Sequence, residues 1–327
     1  MTIRFSTTLS VFDSVYDGYC KEGYREPIRL EEALKILSRL KLINAVELRH
    51  SDITPDLPVK SVKRLLKEYD FVCSAVSVDY SESRKFALGA LGHQNPKIRG
   101  AAIDEGRKAV DIARGLGTTE VVLRLFTDGS DYPFHVDYMN QWNTIISSVK
   151  TIAKYASPDI NVAIVYKPRE PRKFLTVSSA GRALAMCQEI AMKNIGVAVS
   201  FAYSIMNGEI PAESIAQISR AEKLFQVYFN DTNMVTDELL VPGGYHIWEL
   251  LEVLFYLRTS KFKGYYTIDL RSYRMEPIYA LQIAIGNISV LDKKLDKLDI
   301  TELRKGQRSL EAIESQKLIR KVLFTSY

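Results

Sequence analysis

Polar and aromatic residues gather in a few short stretches of this chain, and their types suit the handling of a polyhydroxylated ligand. Segment Thr127–Trp142, TDGSDYPFHVDYMNQW, sets Asp128 and Asp131 beside Tyr132, Phe134 and Trp142. Carboxylates take hydroxyl protons while aromatic faces cover the apolar CH surface of a sugar; a packed loop lid is the structural alternative. Segment Val165–Arg172, VYKPREPR, concentrates Lys167, Arg169, Glu170 and Arg172. Such a loop either knits itself together by salt bridges or binds hydroxyls and carboxylates through planar guanidinium contacts. Other polar clusters hold Glu47, Arg49 and His50; GHQNP with His93; SFAYSIMNGE with Ser200 and Tyr203; YFNDTN with Tyr228, Asn230 and Asp231; and DLRSYRMEP with Asp269 and Arg274. His93 is the best substrate contact among the four histidines. None is in an HExxH or paired spacing, which argues against a nuclease-like trinuclear zinc site.

The elements that must position these residues alternate. Apolar, β-rich runs occur at Ile3–Leu9, Ala45–Leu48, Phe71–Val78, Thr119–Phe126, Val162–Tyr166, Ile195–Phe201, Lys223–Asn230 and Gly264–Leu270. Between them lie helical patterns, for instance Leu30–Leu40, Val59–Tyr69, Lys97–Leu116 closed by Gly117, and Ile247–Leu257. Near-continuous apolar strands separated by helices predict a parallel sheet covered on its outer face. Eight such units predict an α/β fold, a closed (β/α)8 TIM barrel, over residues 1–287. An open doubly wound sheet is the competitor, but no GxGxxG follows the first run. Residues 288–327 are highly charged with apolar residues at helical spacing. They predict a helical extension packed on the barrel or on a partner subunit. In a TIM barrel, function concentrates where strands end and βα loops begin, which is where the polar stretches fall.

Composition narrows the class. The 327 residues are 46% apolar and 25% charged, with a mild net charge of +5. That is an ordinary solvated globule, with no basic excess of the kind that nucleic-acid binding needs. Cys20, Cys73 and Cys187 are distant and odd in number, so no disulfide framework or zinc ribbon is expected. The N-terminal MTIRFSTTLSVFDS lacks a signal-peptide core, and no apolar run approaches a membrane span. A cytoplasmic protein without membrane partners is expected.

DGSDYPFHVDYMNQW followed by VYKPREPR resembles the xylose-isomerase-like sugar isomerase/epimerase superfamily, in its rhamnose-isomerase-like and C-glycoside-deglycosylase-like branch. The similarity continues through GVAVSFAYSIMNGE, VYFND, the GGYH turn at Gly243–His246 and TIDLRSYRMEP, covering about Arg99 to Pro277. The resemblance implies a divalent ion such as manganese, magnesium or zinc at the open end of the barrel. A glutamate, an aspartate, a histidine and a final acidic residue would hold it. The ion would gather two sugar oxygens so that a proton or hydride moves between adjacent carbons. Carried over position by position, the glutamate is Val165, the aspartate is Ser200 with Tyr203 in place of that motif's histidine, and the next histidine is Tyr228. Only Asp269 stays acidic. Valine donates nothing and serine is a weak neutral ligand, so the metal is expected to be lost and no cofactor is expected. A metal held instead through Glu47 or Asp231 is the alternative.

Two expectations follow. The chain is either a diverged sugar isomerase/epimerase-like protein acting without the usual metal, or a catalytically inactive sugar-binding or scaffold subunit. As an enzyme it would use Asp269 and Glu47 as candidate bases, with Lys167 and Tyr228 completing the catalytic set. His93, Asp128, Trp142, Arg169, Tyr203, Asn230, Asp231 and Arg274 would bind the sugar or polyol. Self-association, or pairing with an active homologous subunit, is the partner expectation.

Overall fold

The structure is a computed structural model that describes residues 3–16, 19–236, 239–271 and 273–324. Eight parallel strands close into a barrel: β1 (Phe5–Thr8), β2 (Ile43–Arg49), β3 (Val72–Asp79), β4 (Glu120–Arg124), β6 (Asn161–Val165), β8 (Ile195–Ser200), β9 (Leu224–Phe229) and β10 (Tyr266–Ile268). β1 closes the ring, pairing with β2 on one side and β10 on the other. Two further short strands, β5 (Gly129–Ser130) and β7 (Phe174–Leu175), form an antiparallel ribbon above the rim. The sequence pattern did not disclose that ribbon, because two-residue strands carry no periodicity.

Helices cover the outside: α1 (Leu30–Leu37), α2 (Val59–Glu68), α3 (Pro96–Leu116), α4 (Tyr138–Ala156), α5 (Ala180–Ile190), α6 (Phe201–Met206), α7 (Pro211–Arg220), α8 (Ile247–Thr259) and α9 (Pro277–Lys294). Local chemistry sets their ends. The Asn95 side chain accepts from the Lys97 amide, Pro96 opens α3 without a lost donor, and Gly117 closes it at φ +84°. Asp137 caps α4 by accepting from the Asn140 amide, and Glu276 does the same for α9 through Tyr279.

The main apolar core lies between strands and helices, and a second, smaller one fills the barrel. Inside, Ala75, Val122, Ala163, Val165 and Ala198 share the space with Tyr228. Three alanines in that set leave room for the long side chains that enter from β4 and β9. α9 runs through residue 287, and beyond it α10 (Ile300–Ser309) and α11 (Ala312–Phe324) fold back. They bury Leu303 and Val322 against the barrel's flank, and Phe324 meets Trp248 of α8 edge-on. Among the described residues, no helix is long and apolar enough to cross a membrane.

Candidate functional site

Side chains alternate across a strand, so every second residue faces the barrel interior. On β4 that places Arg124 inward with Val122. The barrel register sets Arg124 beside Asp79 and Val165, Thr8 beside Glu47, and Ser200 beside Tyr228. Arg124 is buried, and its guanidinium lies between two carboxylates. It donates to Asp269 Oδ2 at 3.2 Å and to Glu47 Oε1 at 3.2 Å. The plane also stands 4.8 Å from the centroid of the Tyr228 ring.

The carboxylates are held on their other sides too. Tyr228 Oη donates to Glu47 Oε2 at 2.7 Å and Gln226 Nε2 donates at 2.8 Å. Thr8 and Ser10 hydroxyls donate to Asp269 Oδ1 at 2.7 and 2.8 Å. The two acids differ in consequence. Burial lifts Glu47 above the usual carboxylate range, with Asp269 adding to it against the pull of Arg124. Burial also works to raise Asp269, but Arg124, Arg271 and the two hydroxyls outweigh it and hold Asp269 low. Burial and Glu47 together push the Tyr228 phenol far up, so it acts as a neutral donor.

This cup is tightly filled. The free volume among Thr8, Ser10, Glu47, Arg124 and Asp269 is about 20 Å³, enough for a water but far below the space of an ordinary ligand pocket. Around the rim, Arg49 bonds Asp13 at 2.9 Å and Asp52 at 3.3 Å.

The other expected site residues fall into separate groups. Lys167 is buried near the cup, its Nζ 5.0 Å from the Phe126 ring and 5.2 Å from that of Tyr203, which Phe126 meets edge-on. Asn230 Oδ1 accepts from Ser200 Oγ and the Ala202 amide, pinning the start of α6. Asp231 accepts from the Tyr245 and His246 amides and bonds the His246 ring at 2.7 Å, bracing the following loop. Trp142 and Arg169 line a groove of about 860 Å³ off the barrel axis, outside the β5–β7 ribbon. Trp142 Nε1 donates to Glu189, and Arg169 to the carbonyls of Met206 and Met234. His93 and Asp128 meet in a different cavity, between the loops after β3 and β4. Arg274 is exposed, against the Tyr273 ring.

The residue that sequence reasoning missed is Arg124, within the run Thr119–Phe126. Its signal was available: an arginine two residues from Val122 in a strand whose alternate residues share a face stands on the same side as Val122. Its two partners lie 77 and 145 residues away, which no local pattern reveals.

Whether a divalent ion suits these residues is a question of donors. Val165 and Ser200, both buried, offer one weak oxygen between them. Tyr228 is a neutral phenol engaged with Glu47. The two carboxylates already face a fixed cation, which would repel a second one. Among the described residues, no group of three or more His, Cys, Asp or Glu side chains is placed to hold an ion. This donor set does not fit the hard, oxygen-rich coordination that manganese or magnesium requires.

Comparison with known proteins gives the relatives of this arrangement. Residues 38–293 match the family model described as xylose isomerase-like TIM barrel. Over 244 residues the chain is 23% identical to the xylose isomerase of Thermus thermophilus, covering 71% of this chain but 63% of that protein. The chain therefore spans less than two thirds of that relative's length. Among solved structures, a D-tagatose 3-epimerase-like protein superposes with a TM-score of 0.70 at 17% identity, over 90% of this chain and 100% of that one. The 3-keto-D-glucoside 4-epimerase of E. coli gives 0.67 at 12% identity, over 89% and 100%. An L-ribulose 3-epimerase gives 0.65 at 13%, over 100% and 99%. These structural likenesses establish the barrel, and the family match over most of the chain establishes more: the chain belongs to the xylose isomerase-like TIM barrel family.

Proposed function

We propose that this chain is a sugar isomerase/epimerase-like barrel protein that binds a sugar or polyol and has lost most of the family's divalent-metal site. The observation that carries this is the Arg124 guanidinium, bonded to both Glu47 and Asp269 where a cation would otherwise be sought. Proton transfer between adjacent carbons needs a base and a positive or hydrogen-bonding group for the oxygen that gains charge. Glu47 and Asp269 are the bases of this proposal, with Asp269 the one held ionised. Arg124, Tyr228 and Lys167 are the groups that would stabilise an enediolate oxygen.

A second reading, an inactive sugar-binding or scaffold subunit, is favoured by one fact: the cup has about 20 Å³ of free volume. A hexose reaches Glu47 only after the rim residues move.

Metal analysis of the purified chain, with melting temperatures in EDTA and across manganese, magnesium, cobalt and zinc, tests the metal claim. The expected result is substoichiometric metal and no divalent-dependent shift; one tightly held ion per chain would refute it. A ketose–aldose and epimerase assay over common sugars separates the two readings. Turnover that survives chelation and is lost in Glu47→Gln supports the enzyme. Sugar-dependent stabilisation without turnover supports the binding protein.

A further inference from the structure

Off the barrel axis, α4, α5 and the β5–β7 ribbon border the groove of about 860 Å³, a size within the range of small-molecule sites. Among the described residues its lining carries three cations, Arg169, Lys173 and Arg182, and no carboxylate. Arg169 donates to the carbonyls of Met206 and Met234, and Arg182 to that of Thr176. Neither guanidinium therefore spends its charge on an acid. Like charges gathered without a counter-ion repel one another, and an anion in the groove relieves that repulsion. Lys173 and Arg182 are exposed, so both heads can reach a ligand.

Arg182 stands in the first turn of α5, where no acidic residue accompanies it. Helix N-termini carry partial positive charge, so a guanidinium is the wrong sign for that position. A bound anion would be held by the Arg182 head and by the helix end together. Lys173 approaches the same groove from the ribbon, one residue before β7.

Much of the remaining wall is aromatic. Tyr138 and Trp142 lie one turn apart on α4 and share a face, and Phe174 stands on β7. Tyr138 is 61% exposed and Phe174 68%, a large ring surface to leave in water beside one groove. Glu189, which is not part of the lining, accepts from Trp142 Nε1 at 3.0 Å and fixes the indole. Thr176 Oγ1 donates to Gln141 Oε1 at 2.9 Å and ties the ribbon to α4. The groove is thus formed before any ligand arrives.

A complementary ligand has a flat ring for the aromatic wall and several negative charges for the cations. We propose that this groove binds a nucleoside di- or triphosphate, its base stacked on the rings of Tyr138 and Trp142 and its phosphates held by Lys173 and Arg182, with Arg169 as the third cation. Stacking on aromatic side chains and charge-assisted hydrogen bonds to phosphate supply the affinity. The site lies outside the Glu47–Arg124–Asp269 cup and stands independently of the sugar-binding function proposed above.

The chain has two tryptophans, so Trp248→Phe leaves Trp142 as the sole indole reporter. In that full-chain variant, ADP and ATP added without divalent ions are expected to quench Trp142 fluorescence saturably. Calorimetry on the unaltered chain measures the same binding without relying on the variant. Lys173→Gln and Arg182→Gln should each weaken ATP binding about tenfold or more, the scale of one charge-assisted hydrogen bond. Both side chains are exposed, so the melting temperature should hold. Unchanged affinity in both variants would overturn the placement. Adenosine and inorganic tripolyphosphate should each bind at least about tenfold more weakly than ATP, because each keeps only half of the contacts. Tripolyphosphate binding as tightly as ATP would reduce the groove to an anion patch and overturn the proposal. Tighter binding of a poly-glutamate peptide would overturn it in favour of an acidic protein partner. Neither quenching nor heat with either nucleotide would overturn it outright and leave the sugar-binding function untouched.

Discussion

At the scale of single residues, the barrel interior is governed by one cation and two anions. A charge shut away from water is costly unless paired, and Arg124 is paired twice. Removing it leaves Glu47 and Asp269 buried without their counter-ion. Arg124→Leu is therefore expected to cost about 3–5 kcal/mol in urea unfolding, whereas Glu47→Gln, which keeps an acceptor for Tyr228, should cost less. An unchanged denaturation midpoint in Arg124→Leu would show that the pair contributes nothing. Asp128 makes a pH-dependent prediction. Burial raises its pKa from 3.8 to about 6, against the Ala90 and Gly92 amides. The fold favours its protonated form. Its contribution is complete below about pH 4 and is lost as pH rises through about 6, a change of about 3 kcal/mol. Asp269 acts in the opposite sense: its lowered pKa adds stability above the ordinary aspartate range and loses it on strong acidification. Stability measured between pH 4 and 7 should thus have its Asp128 component abolished in Asp128→Asn, and identical pH profiles for the two proteins would contradict this.

At the scale of elements, the β5–β7 ribbon divides the open face. It separates the groove holding Trp142 and Arg169 from the cavity holding His93 and Asp128, and Gly129 borders both. A Cβ at Gly129 would collide with the Phe174 carbonyl oxygen. Gly129→Ala should part the ribbon and cost about 1–3 kcal/mol. Hydrogen exchange should then report faster exchange at Ser130 and at Thr176, whose amide donates to the Asp128 carbonyl, with the barrel strands unaffected; unchanged protection there would show that the ribbon tolerates the methyl group. Helix ends were legible in the chain because caps are local: Asn95, Pro96 and Gly117 bracket α3 within two residues of the expected span. The ribbon was not legible, because its pairing joins residues more than forty positions apart and spans two residues on each side.

At the scale of the whole molecule, α10 and α11 are the natural candidates for a separable extension. They bury Leu303 and Val322, and Lys294 Nζ donates to the Val322 and Leu323 carbonyls. Truncation after Leu298 should leave a cooperative barrel with a melting temperature about 5 °C lower or more, from the loss of those two buried side chains. Loss of cooperative unfolding would instead make the extension part of the barrel's own core. The order of strands and helices, the closure implied by eight units and the substitutions at Val165, Ser200 and Tyr228 were all determined by the sequence alone. Periodicity, capping and motif order are properties of neighbouring residues. Only tertiary structure decided that Arg124 stands between Glu47 and Asp269, that Tyr228 reaches Glu47 across 181 positions, and that His93 and Asp128 share a cavity away from the axis. Those meetings depend on strand register and ring closure, where a shift of one residue would turn Arg124 from the interior to the helices outside.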